Sequence, residues 1–217
     1  MNDKPPPPPI ATLSSNVIQD ATVTDADRPR LRRRLRQQRR QLSKTQQRHA
    51  AHRLARLVWS SALFRRSRHI GFYLANDGEL NLTPLLQHAW AMRKTCYLPV
   101  ITPDRRLRFA PYHPGDKLAP NLFGIPEPAG AGLRSVDARL LDLLLLPLVG
   151  FDLQGNRLGM GGGFYDRSLA FLRHRRHWRK PRLLGIAHAL QRVDTLAPQW
   201  WDVPLDGVAT EQQLHLI

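Results

Sequence analysis

Residues 157–167 read RLGMGGGFYDR, with four glycines (Gly159, Gly161, Gly162, Gly163) in five positions and an aspartate and two arginines around them. Glycines without Cβ atoms let a backbone approach phosphate oxygens closely and adopt positive φ. An apolar strand, a glycine turn and a helix start, in that order, direct N–H groups at an anion. No Lys-Ser/Thr follows the last glycine, so this is not a P-loop. Phe164 stands where a dinucleotide fingerprint would need its third glycine. Arg157 and Arg167 flank the loop and could neutralise phosphate charge. Asp166 could complement the first helical turn or hold Mg²⁺. A plain strand-to-helix turn would use the same glycines, so both readings stand at this point.

The remaining polar candidates are scattered. Glu79, in DGELN, follows a short apolar strand, which is the ligand-bearing edge if the sheet is parallel. Asp202 follows two tryptophans in QWWDVPLD, and His188 ends an apolar strand, where a core role is the plainer reading. No His/Cys cluster has metal-ligand spacing, and no nucleophile-elbow motif is present.

These groups need a scaffold. The 217 residues suit one domain, 28–217, preceded by a tail, 1–27, with five consecutive prolines. At 42% hydrophobic the chain can build a core, yet its longest apolar run is too short to span a membrane. The first residues lack the basic-then-apolar layout of a signal peptide, and the single Cys96 excludes an internal disulfide framework. A cytoplasmic protein is expected. The net charge is +16, with fifteen Lys or Arg and no acid between 28 and 68, and a second basic cluster at 173–182. Such a field draws phosphates or nucleic acid, or simply solvates a surface.

A helix is expected from about Pro29 on a sparse stripe of Leu31, Leu35 and Leu42. SKTQ (43–46) reads as a capping box opening a second helix to about Ser60. Strands are expected at 69–76, 95–101, 106–112, through the apolar run LLDLLLLPLVGF, and at 182–188. Helices are expected after Thr83-Pro84, with Thr83 as cap, and from FYDRSLAFLRH, while 113–135 reads as irregular. The alternation predicts an α/β domain whose mostly parallel sheet is covered by helices on both sides.

PLVGFDLQGNRLGMGGGFYDR closely resembles the signature of the 5-formyltetrahydrofolate cyclo-ligases, also called 5,10-methenyltetrahydrofolate synthetases. FYLANDGELNLTPLL, CYLPVI, LFGIPEP and WWDVPLDGVAT resemble the family's other blocks in the same order, over roughly 28–212. The resemblance implies a three-layer α/β/α fold. It implies that 5-formyltetrahydrofolate is cyclised to 5,10-methenyltetrahydrofolate with ATP and Mg²⁺, through a phosphorylated formyl oxygen. It places Arg28, Arg32 and the loop Arg157, Leu158, Gly159, Met160, Gly161, Gly162, Gly163, Phe164 and Tyr165 on ATP. It places Leu74, Glu79, Phe123 and the segment Met160 to Phe164 on the folate. Asp166 and Asp202 match Mg²⁺-associated aspartates, and Arg157 and Asp166 are the expected catalytic residues. A monomer with no membrane partner and no specific nucleic-acid partner is expected. Two rivals are a nucleic-acid-binding module using the arginine-rich helix, and a sugar-phosphate isomerase or acyl-CoA transferase on a similar fold. The first lacks aromatics among its basic residues, and the loop sequence argues against the second.

Overall fold

A computed structural model describes residues 25–130, 134–173 and 180–217. The expected tail therefore lies outside the described residues up to 24. Its last three residues, Asp25–Asp27, form a 3-10 turn that feeds the first helix. Most of the second basic cluster, 174–179, also lies outside.

Helix α1 (Arg28–Arg40) has Pro29 in its first turn, where the missing N–H costs nothing. Its buried residues are Arg28, Leu31, Leu35 and Arg39, spaced 3, 4 and 4 on one face. Leu31 and Leu35 pack with Val149, Leu158, Val193 and Leu196 in a small core of their own. Helix α2 (Lys44–Trp59) begins with the expected capping box. The Ser43 side chain accepts from the Gln46 N–H at 3.2 Å, and the Gln46 side chain accepts from the Ser43 N–H at 2.8 Å. Helices α3 (Ala62–Arg66) and α4 (Thr83–Ala91) follow. The cap of α4 is Leu82 rather than Thr83, whose N–H instead donates to Asn81 Oδ1 at 2.8 Å.

The main sheet contains β1 (His69–Gly71), β2 (Thr95–Ile101), β3 (Leu107–Pro111), β6 (Leu143–Pro147), β9 (Arg182–Ile186), β10 (Gly207–Ala209) and β11 (Leu214–Leu216). Their order is β11-β10-β9-β6-β1-β2-β3, and the five central strands are parallel. The edge strands β3 and β11 run antiparallel. The chain steps from β1 to β2 on one side and returns to β6 on the other, so a crevice opens beyond the carboxyl ends of β1 and β6.

Helices α2, α3 and α4 cover one face of the sheet around Phe64, Ile70, Phe72 and Leu85. The other layer consists of short pieces: α5 (Phe164–Ser168), 3-10 turns at Ala138–Leu140 and Ala170–Leu172, and loops. The expected long helix after the glycine loop is thus five residues plus a 3-10 turn. Ser168 ties this short helix to the sheet, because its hydroxyl donates to the Phe164 carbonyl and accepts from the Leu107 N–H, both at 2.7 Å.

Three further expectations change. Strand β1 stops at Gly71, and the chain leaves the sheet to carry Tyr73 and Leu74 into the crevice. The apolar run is not one strand: β6 ends at Pro147, and a hairpin of β7 (Gly150–Phe151) and β8 (Arg157–Leu158) follows. The buried Asp152 carboxylate fixes that hairpin, accepting from the N–H groups of Gln154, Asn156 and Leu196 at 2.9–3.0 Å. Within 113–135 a ribbon of β4 (Leu118–Pro120) and β5 (Pro126–Pro128) closes on Asn121, whose Oδ1 accepts from the Phe123 and Ile125 N–H groups.

Leu35 is fully buried between α1 and the β7–β8 hairpin. Leu35→Ala is expected to cost about 2–5 kcal/mol, from lost burial and the cavity left behind. Urea unfolding checks this, and a loss under about 1 kcal/mol would show that the helix is not anchored there.

Candidate functional site

A cleft of about 660 Å³ opens at the switch point. One wall comes from α1, the glycine loop and α5. The other comes from the segment after β1, the ends of β2 and β6, and the β4–β5 ribbon. Of the residues expected at the site, Arg28, Arg32, Leu74, Glu79, Phe123, Arg157, Asp166, Asp202 and the run 159–165 all line this cleft. Leu158 does not, because its side chain is fully buried in the core under α1. His188 also lies outside the lining. It is buried, its Nε2 sits 3.3 Å from the Gly78 carbonyl, and burial lowers its pKa to about 4, so the ring is neutral.

The glycine loop follows directly from β8. Gly161 has φ +97° and Gly163, which precedes α5, has φ +65°, both in the region that side chains avoid. Among the described residues, the N–H groups of 159–163 donate to no protein oxygen. Helix α5 is too short for a full macrodipole, so the loop's own N–H groups are the donors available to an anion. Arg32 Nε donates to the Gly159 carbonyl at 2.9 Å, tying α1 to the loop. Arg167 turns away from the cleft, donating to the Gly162 carbonyl at 2.7 Å and the Arg105 carbonyl at 3.0 Å. Arg157 is buried, pairs with Asp166 and donates to the Val203 carbonyl.

Arg28 and Asp202 approach to 3.7 Å, and the Asp202 carboxylate also accepts from the Gln199 N–H at 2.9 Å. Both aspartates expected near a metal are therefore faced by arginines. No group of three His, Cys, Asp or Glu among the described residues could hold a metal by itself. The donor set fits Mg²⁺ only as that ion is held with a nucleotide, by one or two carboxylates plus phosphate oxygens and water.

Across the cleft, Glu79 is largely buried. Its Oε2 accepts from the Asn76 N–H at 3.1 Å, and its Oε1 stands 3.7 Å from Arg39. Burial raises its pKa from 4.5 to about 6, against the lowering effects of the Asn76 N–H and Arg39. Asp77, two residues earlier, is drawn the other way. Burial would raise its pKa, but hydrogen bonds from Arg36, Arg40 and Arg39 hold it below the usual carboxylate value. Apolar surface completes this wall. Phe123 is 58% exposed and meets Phe164 edge-on with centroids 5.7 Å apart.

Tyr73, Asn121, Glu127 and Trp201 also line the cleft and were not read from the sequence. Arg39 and Asp77 were missed as well. The signal for Arg39 was available: it sits four residues after Leu35, on the buried stripe.

The model of the 5-formyltetrahydrofolate cyclo-ligase family matches residues 24–211. The protein named 5-formyltetrahydrofolate cyclo-ligase in Escherichia coli is 37% identical over 182 residues, covering 83% of this chain and 98% of that one. Its namesake in Haemophilus influenzae is 40% identical over 145 residues, 65% of this chain and 74% of that one. Among solved structures, the 5,10-methenyltetrahydrofolate synthetase of Aquifex aeolicus is similar with a TM-score of 0.75 at 28% identity, covering 88% of this chain and 92% of that one.

The Glu79 geometry has a measurable cost. Its folded-state pKa of about 6 lies above 4.5, so ionising it disfavours the folded state. Glu79→Gln should match the parent's stability below pH 4.5 and exceed it by about 2 kcal/mol once the pH passes well above 6. Urea unfolding across that range tests the sign, and a gap independent of pH would contradict it.

Proposed function

The chain belongs to the 5-formyltetrahydrofolate cyclo-ligase family, and from that premise we propose that it cyclises 5-formyltetrahydrofolate to 5,10-methenyltetrahydrofolate at the expense of ATP. The observation that carries the reading is the pairing of two unlike walls in one cleft. Arginines and unpaired loop N–H groups suit a triphosphate. A buried carboxylate among aromatic and aliphatic side chains suits a flat heterocycle with N–H donors.

In this reading the formyl oxygen attacks the γ-phosphorus and ADP leaves. N10 then attacks the activated formyl carbon, the oxygen departs as phosphate, and the N10 proton is released. An amide-like oxygen is a poor nucleophile and, unphosphorylated, a poor leaving group. The protein's work is mainly to align two substrates and to offset phosphate charge. Arg28 and Arg32, one turn apart on α1, face the triphosphate with the loop 159–165. Arg157 and Asp166, already paired, lie at the phosphate end. Asp166 and Asp202 would hold Mg²⁺ together with the nucleotide, and the ion would supply charge neutralisation on the phosphates. Glu79 accepts hydrogen bonds from the pterin amino and ring N–H groups, while Leu74, Phe123 and Phe164 cover its faces.

Mixing the protein with 5-formyltetrahydrofolate and Mg-ATP should generate the methenyl product's near-ultraviolet absorbance and ADP in equal amounts. Cyclisation that ignores ATP, or ATP consumption without a change in the folate, would contradict the assignment. Asp166→Asn should lower turnover by about 10²–10³, the usual loss when one preorganised electrostatic contact is removed. Gly161→Val should raise the KM for ATP and lower kcat together, because valine disfavours φ +97° and a displaced loop misaligns the reacting atoms. Near-parental kinetics for both variants would remove the loop from the mechanism.

A further inference from the structure

We propose that Arg39 is a positioning residue for the folate end of the reaction: its guanidinium joins the loops after β1 and β6 and so fixes where the Glu79 carboxylate meets the pterin. This deepens the reading above and rests on it. Arg39 is fully buried, which is rare for arginine without partners. Its Nε donates to the Asp77 carbonyl at 2.8 Å, its Nη2 to Asp77 Oδ2 at 2.9 Å and its Nη1 to the Leu148 carbonyl at 3.0 Å. Asp77 follows β1 and Leu148 follows β6, the two strands that flank the crevice.

Anchoring α1 alone would not require a charge here. A leucine would continue the stripe of Leu31 and Leu35 without the desolvation cost of a buried ion. The fork instead holds polypeptide on both sides of the switch point. It also leaves Glu79 available. Arg39 makes its short bonds to Asp77 and stands 3.7 Å from Glu79 Oε1, too far to occupy that oxygen. A substrate N–H can therefore still reach it. Gly78, between the two acids, has φ +76°, and a Cβ there would sit 3.2 Å from the Arg39 carbonyl, so the loop lies flush against α1.

Other groups bear on Glu79. Arg36 and Arg39 face it from α1, Asp77 from its own loop, Tyr73 from the preceding segment and Tyr165 from α5. His188, neutral, sits beyond Gly78. Lysine at 39 keeps the charge but offers donors from a single atom, which cannot span Asp77 and Leu148 together.

The chain contains three glutamates, Glu79, Glu127 and Glu211, so labelling glutamate with ¹³C at the carboxyl gives three side-chain signals, and Glu79→Gln assigns one. In Arg39→Lys and Asp77→Asn that signal should shift and titrate at a changed pH while the other two stay put. The KM for 5-formyltetrahydrofolate should rise by about tenfold, as expected for a displaced charge-assisted hydrogen bond, with the KM for ATP nearly constant. An unchanged Glu79 titration in both variants, or equal rises in both KM values, would reduce Arg39 to a structural anchor and overturn the proposal. If the parent protein itself fails to cyclise the folate, the functional reading falls, and the carboxyl titration still reports whether Arg39 governs Glu79.

Discussion

A guanidinium without access to water, that of Arg39, holds α1, the loop after β1 and the loop after β6 at one point. Burying that charge is costly unless each donor finds an oxygen, and here the fork meets two carbonyls and a carboxylate. The architecture around the cleft follows from it. With its last turn fixed, α1 lays Leu31 and Leu35 on the β7–β8 hairpin. That hairpin carries the glycine loop, and Arg32 of the same helix closes on the loop's first carbonyl. One helix thus sets the spacing between the two walls.

The charge distribution has a division of labour. Arg36, Arg39 and Arg40 converge on Asp77, while Arg28 approaches Asp202 and Arg157 pairs with Asp166. Five arginines thus face these three aspartates, so the negative charge of those acids is offset within the protein. At Glu79 burial outweighs the Asn76 N–H and Arg39, and the pKa rises. A carboxylate desolvated in this way is held at the expense of folding stability once it ionises.

Much of the fold was legible because local chemistry and tertiary structure agree. The Ser43–Gln46 capping box and the strand 95–101 are examples, since each carries its own signature. The glycine loop was legible as a turn at the cleft because side chains avoid the positive φ that Gly161 and Gly163 take there. The single strand read into 140–151 failed because an apolar run does not say where hydrogen-bonded pairing ends. The β4–β5 ribbon was hidden by prolines at its margins, which mask strand propensity. Arg39 was hidden by its neighbours: in a run of arginines, one buried member looks like the rest unless the apolar stripe is followed through it. Leu158 was swept into the site by adjacency to the loop, although its alternation as a strand residue turns it into the core.

The central claim is that α1 and the glycine loop converge on one triphosphate through N–H groups that the fold leaves unpaired. Backbone hydrogen exchange with and without a non-hydrolysable ATP analogue and Mg²⁺ tests it most directly. The account predicts that the amides of 159–164 gain protection on saturation, with α1 stabilised at the same nucleotide concentration. Saturation that leaves the loop amides exchanging as in the free protein, or that protects a surface remote from both, would contradict it.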